Sequence, residues 1–225
     1  MSLCARPYSR AEQAADRILH WVAIAASLAG AAVLIALAAQ RGEPTLIGSV
    51  TLYGLALIAL FLSSALCNHN LTDHQSPRAE RLRRLDHATI FFMIAATYTP
   101  FTVNALEPPY GWALLAFVWS VAGVGIGAKL LLPRPPGRLF SVILCLVLGW
   151  SVVIVIEPLV AALSTAGLVL LIAGGVLYSA GVLFYLWHHL PYHHVAWHGM
   201  VVAAAACHYA AILAGVVLAP EPTQL

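Results

Sequence analysis

Charge is what this chain has least of. Asp, Glu, Lys and Arg supply 9% of its 225 residues, where a soluble domain carries about 25%. With 61% hydrophobic residues, that scarcity excludes an ordinary water-soluble fold and predicts an all-α, polytopic membrane protein. Cysteine is sparse too. Cys4, Cys67, Cys145 and Cys207 stand far apart with no Cys-x-x-Cys pair, so a disulfide framework is not expected, and they read as small packing residues. A secretory signal is missing, because the first apolar run is longer than the usual h-region of about 7–15 residues. The first span is therefore expected to be a retained anchor. Low-complexity tracts, internal repeats and a second domain are lacking as well. The expected partners are membrane lipids and not nucleic acid, and nothing points to a protein partner.

What is present is a series of apolar segments, each near the ~20 residues that a spanning helix needs. Seven are expected, at roughly 18–39, 46–67, 87–106, 111–132, 139–156, 159–187 and 194–218. The breaks carry turn chemistry: Arg41-Gly42-Glu43-Pro44, the polar stretch 70–85, Glu107-Pro108-Pro109, Pro133 to Gly137, Glu157-Pro158 and His188 to His193. Ser9-x-x-Glu12 reads as a capping box that starts a helix ahead of the first span. Basic residues orient the bundle. With the N-terminus inside, ten of the eleven fall on inner segments: Arg6, Arg10, Arg17, Arg78, Arg81, Arg83, Arg84, Lys129, Arg134 and Arg138. Arg41 alone is outside. This split requires an odd number of spans, a cytoplasmic N-terminus and a C-terminus outside.

In that topology the polar residues gather at one edge. Ser64, Asn68 and His69 end the second segment, Asp86 opens the third, and His194 and His198 start the seventh. Ionisable groups inside a membrane are costly and mark functional sites. Histidines four apart share a helix face, which supplies half of a zinc site. Asp86 is placed to orient a ligand or to take a proton from a water that the metal has made acidic.

Blander readings apply to other residues. Asp86 also fits a helix N-cap. His188, His189 and His193 fall in a loop, where histidines hydrogen-bond headgroups, and His20 and His87 are expected at the interface. His208 lies ten residues past His198, about 15 Å deeper, and is expected to hydrogen-bond within the bundle. The four arginines of 78–84 serve topology or touch anionic headgroups. A b-type haem between histidines on two helices is an alternative use, which the i, i+4 pair disfavours.

Four stretches resemble the hemolysin III family: Ser63-Ser64-Ala65-Leu66, Leu85-Asp86-His87-Ala88-Thr89-Ile90, Ile94 to Phe101, and Pro191-Tyr192-His193-His194-Val195-Ala196-Trp197-His198. That family groups with the progestin and adipoQ receptors and, more distantly, the alkaline ceramidases. The resemblance implies a seven-helix bundle with a cytoplasmic-side zinc, held by one histidine of span 2 and the pair of span 7. It places the span-7 pair at His194 and His198, a nearby aspartate at Asp86 and a nearby serine at Ser64. It departs on span 2, where Asn68 occupies the position four after Ser64 that is histidine in the family. His69 comes one residue later, turned about 100° round the helix. A bend bringing His69 inward, ligation by Asn68 directly or through water, and an empty site all remain open, with a metal site of altered affinity as the expected outcome.

Two functions follow from the resemblance. One is a metal-dependent hydrolase of a lipid amide or ester, with Asp86 and Ser64 assisting. The other is a non-catalytic protein of membrane homeostasis or a receptor. A cytolysin or channel, as the family name suggests, needs a polar lining through the membrane, and the outer halves of these segments are apolar.

Overall fold

A computed structural model describes residues 8–69 and 76–219, and they form helices with no strand among them. The helices are α1 (Arg10–Arg41), α2 (Pro44–His69), α3 (Pro77–Asn104), α4 (Tyr110–Leu130), α5 (Arg138–Trp150), α6 (Ile156–Ala162), α7 (Thr165–Leu186) and α8 (His193–Ile212). A 3₁₀ segment, Ser151–Val155, joins α5 to α6, and a π-helical turn, Leu213–Val217, extends α8.

Six of these rods are long and apolar enough to cross a membrane: α1, α2, α4, α5 through α6, α7, and α8 with its π turn. The chain is thus a polytopic helical membrane protein. α3 is equally long at 28 residues but more polar. It is also the central helix, packed against α2, α4, α5 and α8. Its threonines are satisfied from within: Thr97 donates to the Met93 carbonyl at 2.8 Å, Thr99 to Ala95 at 2.9 Å and Thr102 to Tyr98 at 3.1 Å. The core is filled by large side chains such as Tyr53, Phe91, Leu34 and Leu148. Where helices touch most closely, small residues allow it. A Cβ on Gly54 of α2 would lie 2.8 Å from the Ala31 Cβ of α1.

Helix starts follow their caps. Ser9 accepts from the Glu12 N–H at 3.2 Å, and Glu12 accepts from the Ser9 N–H at 2.7 Å, closing the expected capping box. The second Glu12 oxygen accepts from the Tyr192 N–H at 2.7 Å. One side chain therefore ties the start of α1 to the start of α8. Gly42, at φ 71°, ends α1 in the left-handed conformation that suits glycine.

Three expectations change here. α3 begins well before residue 87, because Ser76 caps it and Pro77 fills its first position. Asp86 therefore lies inside a helix and is no N-cap. The arginines of 78–84 are helical, and Arg84 reaches across to the Leu132 carbonyl at 2.8 Å, so that stretch joins α3 to the end of α4. Glu157-Pro158 makes no break, since proline is tolerated in a first helical turn. The chain turns at Leu163-Ser164, where Ser164 caps α7 by accepting from the Gly167 N–H at 3.2 Å.

Candidate metal centre

The start of α1, the end of α2, the lower part of α3 and the start of α8 meet at the end of the bundle where the chain begins. Their polar side chains form one connected network. His198 Nδ1 donates to Asp16 Oδ1 at 2.6 Å, short enough for a charge-assisted bond. Its Nε2 then faces Ser64 Oγ at 3.5 Å. His20 Nδ1 lies 2.8 Å from the Asp16 carbonyl, which can only accept, so this nitrogen carries the proton. In the neutral ring Nε2 is bare, and the Ser64 hydroxyl donates to it at 3.1 Å. Ser64 in turn accepts from Asn68 Nδ2 at 3.3 Å. Asn68 Oδ1 accepts from His194 Nε2 at 3.1 Å. These proton positions are assigned from the bonding pattern. The rings crowd edge to face, His194 to His198 at 4.2 Å and His20 to His198 at 4.5 Å between centroids.

Within this network Asp16, His194 and His198 each offer one ligand atom, all within 4.8 Å of one another. Two imidazoles and a carboxylate form a donor set that zinc takes in catalytic sites, with a coordination position left over. Asp16 and His198 are buried and His194 is half-buried.

Of the residues singled out from sequence, Ser64, Asn68, His194 and His198 meet here. Asp86 joins them on the wall of the adjoining cavity, beside Ser64 and His198. His69 closes α2, and its side chain lies outside the described residues. Two expectations are corrected. His20 is not interfacial; it is 2% exposed and sits at the heart of the network. His193 does not face headgroups from a loop. It opens α8, is buried, and contacts the Tyr8 hydroxyl and the Phe184 carbonyl, both at 3.3 Å. His208 hydrogen-bonds the Leu171 carbonyl at 3.1 Å, inside the bundle and away from the network. Sequence reasoning missed Asp16. A signal was there: Glu12, Asp16 and His20 repeat every fourth residue, which puts them on one face of α1, and all three are buried.

The network opens on a cavity of about 190 Å³ along the bundle axis. Its polar end is His20, Ser64, Asp86 and His198. Its shaft is apolar, with Phe61, Phe91, Met93, Leu146 and Val182, and aromatic, with Trp150 and Tyr178. A shaft of this kind accommodates hydrocarbon.

An apolar helical bundle with a carboxylate–histidine cluster buried at one end defines a class: integral membrane proteins with a candidate metal centre. Comparison with known proteins narrows it. The Haemolysin-III related family matches residues 9–209, and the chain belongs to that family, within the progestin and adipoQ receptor superfamily. It is 38% identical over 202 residues to the Hemolysin-3 homolog of Bacillus subtilis (strain 168), covering 90% of this chain and 93% of the relative. It is 36% identical to Hemolysin-3 of Bacillus cereus, covering 90% of each. The similarity reaches the human Monocyte to macrophage differentiation factor at 29% identity, over 89% of this chain and 83% of that protein.

Proposed function

We propose that this protein carries a zinc centre held by Asp16, His194 and His198 and hydrolyses an amide or ester of a membrane lipid. The observation that carries the reading is the buried donor set at the mouth of an apolar cavity. A soluble substrate has no use for such a shaft, whereas a lipid places its chain there and its polar group at the cluster. In this reading α3 is a seventh span, shielded by its neighbours and so free to be polar. The N-terminus and the centre lie on the cytoplasmic side of a bacterial inner membrane, as ten of eleven basic residues favour.

The chemistry that zinc supplies when bound is Lewis acidity towards a carbonyl or a water. The protein's own groups do the rest. Asp86, on the cavity wall, accepts a proton from the attacking water and returns it to the leaving group. Ser64 hydrogen-bonds the substrate's polar group. Asp16 and His198, 2.6 Å apart, bring two of the three donors together. Asn68 accepts from His194 Nε2 and so fixes the orientation of that ring.

A non-catalytic role in membrane homeostasis is the second reading. It is favoured by the same Asn68 contact, which occupies a histidine nitrogen that a third imidazole would have left to the metal. A channel gains little from the cavity, whose lining is mostly apolar.

Elemental analysis of the detergent-purified protein tests the centre. About one zinc per chain is expected in wild type and in His208→Ala, and almost none in a His194→Ala/His198→Ala double variant. Zinc-free wild type, or equal loss in His208→Ala, would sink the assignment. Release of fatty acid from a lipid amide by the zinc-loaded protein, absent from Asp86→Asn, then separates the catalytic reading from the non-catalytic one.

A further inference from the structure

A second polar group lines the same cavity, and it is basic. Lys129, near the end of α4, is 5% exposed. Its ammonium has three N–H donors, and one is used, towards the Pro136 carbonyl at 2.9 Å. Among the described residues no carboxylate pairs with it. Arg138 opens α5, its guanidinium 4.5 Å above the Tyr185 ring and in contact with His188. Among the described residues it has no acidic partner either. His87, next to Asp86 on α3, adds an imidazole. Lys129, Arg138, His87 and Ser141 all line the cavity, where Asp86 is the one carboxylate.

A lysine kept only for topology extends to the interface and into water. Lys129 turns inward instead. A buried cation without a counter-charge is costly, and an anionic ligand offsets that cost. The surrounding shape shows how the anion arrives. A second, mainly apolar groove of about 300 Å³ runs between α4 and α5, lined by Val121, Val124, Phe140 and Leu144 among others. The groove and the inner cavity share Phe91, Lys129 and Ser141. Two apolar compartments therefore converge on one buried cation.

We propose that Lys129, Arg138 and His87 form the headgroup site for an anionic phospholipid, with one acyl chain in the inner cavity and the other in the α4–α5 groove. Lys129 and Arg138 neutralise the phosphate, and His87 and Ser141 donate hydrogen bonds to it. A single-chain lipid leaves one compartment unanswered, and a zwitterionic lipid brings a cation of its own towards Lys129 and Arg138. Free phosphate answers the cation and neither compartment. The proposal concerns binding and does not rest on the metal centre. Should hydrolysis be established, it names the class of substrate presented to Asp86 and His198.

The test uses the full-length protein in phosphatidylcholine nanodiscs, with acyl-brominated phosphatidylglycerol or phosphatidylcholine as quencher of Trp150 and Trp197, which line the cavity. Wild type is expected to prefer the phosphatidylglycerol. Lys129→Met and Arg138→Gln each lower that preference about fivefold, as expected for one basic residue at a membrane surface. Lys129→Arg keeps it. Arg134→Gln, exposed in the same loop and off the cavity, leaves it unchanged. Equal loss in Arg134→Gln, or no preference in wild type, overturns the proposal. Displacement of the lipid by millimolar inorganic phosphate overturns the lipid assignment and makes free phosphate the occupant. Zinc content and thermal unfolding measured on the same samples keep a failed metal centre or a misfolded Lys129→Met apart from a failed headgroup site. The exposed Arg138 carries the test alone if Lys129→Met does not fold.

Discussion

Helices α5 and α7 both wall the cavity, and they are attached to the bundle by different means. α7 lies against α8 along Gly167, Gly174 and Gly181, its buried residues, which recur every seventh position on one face. The backbones come so close that a Cβ on Gly174 would lie 2.2 Å from the His208 ring. α5 buries only Leu148, and Leu139, Phe140, Ile143 and Val147 face outward. It breaks into a 3₁₀ segment after Trp150. Side-chain bonds pin it in place, from Tyr98 to the break and from Trp150 Nε1 to Ser179 Oγ at 3.0 Å. Inside a bilayer no hydrophobic force draws helices together, so close packing and hydrogen bonds decide the matter. One wall is thus set by close packing at three glycines spread along it. The other is held at a few points, and it is the wall shared with the α4–α5 groove.

The sharpest break of that comparison uses two neighbouring glycines. Gly174→Ala forces a methyl into the His208 ring and to 3.1 Å from the Ala204 carbonyl, and His208 is itself bonded to Leu171. The expected cost is about 3 kcal/mol, the upper end for an overpacked site. Gly175→Ala points the other way, where the nearest atoms are those of Trp150 at 3.7 and 3.8 Å, an ordinary contact. Its effect should stay within about 0.5 kcal/mol. Unfolding of both variants by SDS titration in mixed micelles measures the difference. Equal costs would mean that the α7–α8 seam is not what fixes this wall.

Tyr98→Phe probes the other wall. The phenol donates to the Gly149 carbonyl at 2.7 Å and accepts from the Val152 N–H at 3.0 Å, with Ser151 Oγ at 3.2 Å. These are the backbone groups that the helix break leaves without helical partners. Phenylalanine keeps the ring and orphans them, at about 1–2 kcal/mol for buried unpaired groups. Hydrogen exchange should quicken across 148–155 and stay unchanged in α7. Uniform quickening in both helices would show that the break is not separately held.

The two walls also differ in how much of them could be read in the sequence. The end of the bundle to which the polar residues belong was legible, because span ends are marked by charge and turn chemistry. That put Ser64, Asn68, Asp86, His194 and His198 at one edge. Facing was not legible. Asp16 and His20 sit on a span that could have turned any side inward, and only its packing against α2 and α8 aims them at Ser64 and His198. Pro191 made the histidine run look like a loop, yet His193 starts the helix. The Ser76-Pro77 cap was hidden in a charged stretch that read as irregular. The α5 break had least local signal, since the group that satisfies it comes from Tyr98, some fifty residues earlier.

The smallest effect is expected where α5 and α7 touch through one bond. Ser179 Oγ accepts from Trp150 Nε1 at 3.0 Å and donates to the Gly175 carbonyl at 2.8 Å. Ser179→Ala removes the acceptor from a tryptophan at 40% exposure, so no fully buried donor is stranded. The loss should be about 0.6 kcal/mol, the average for a hydrogen bond between membrane helices. Stability is the less informative readout here. Trp150 and Ser179 both line the cavity, and the bond between them closes the seam where α5 meets α7. With the bond gone, a brominated lipid should quench Trp150 more strongly, while Trp197, packed on Tyr185 at 5.1 Å between centroids, keeps its surroundings. Unchanged quenching of Trp150 would place the movable contact elsewhere along α5, at the Arg138–Tyr185 stack.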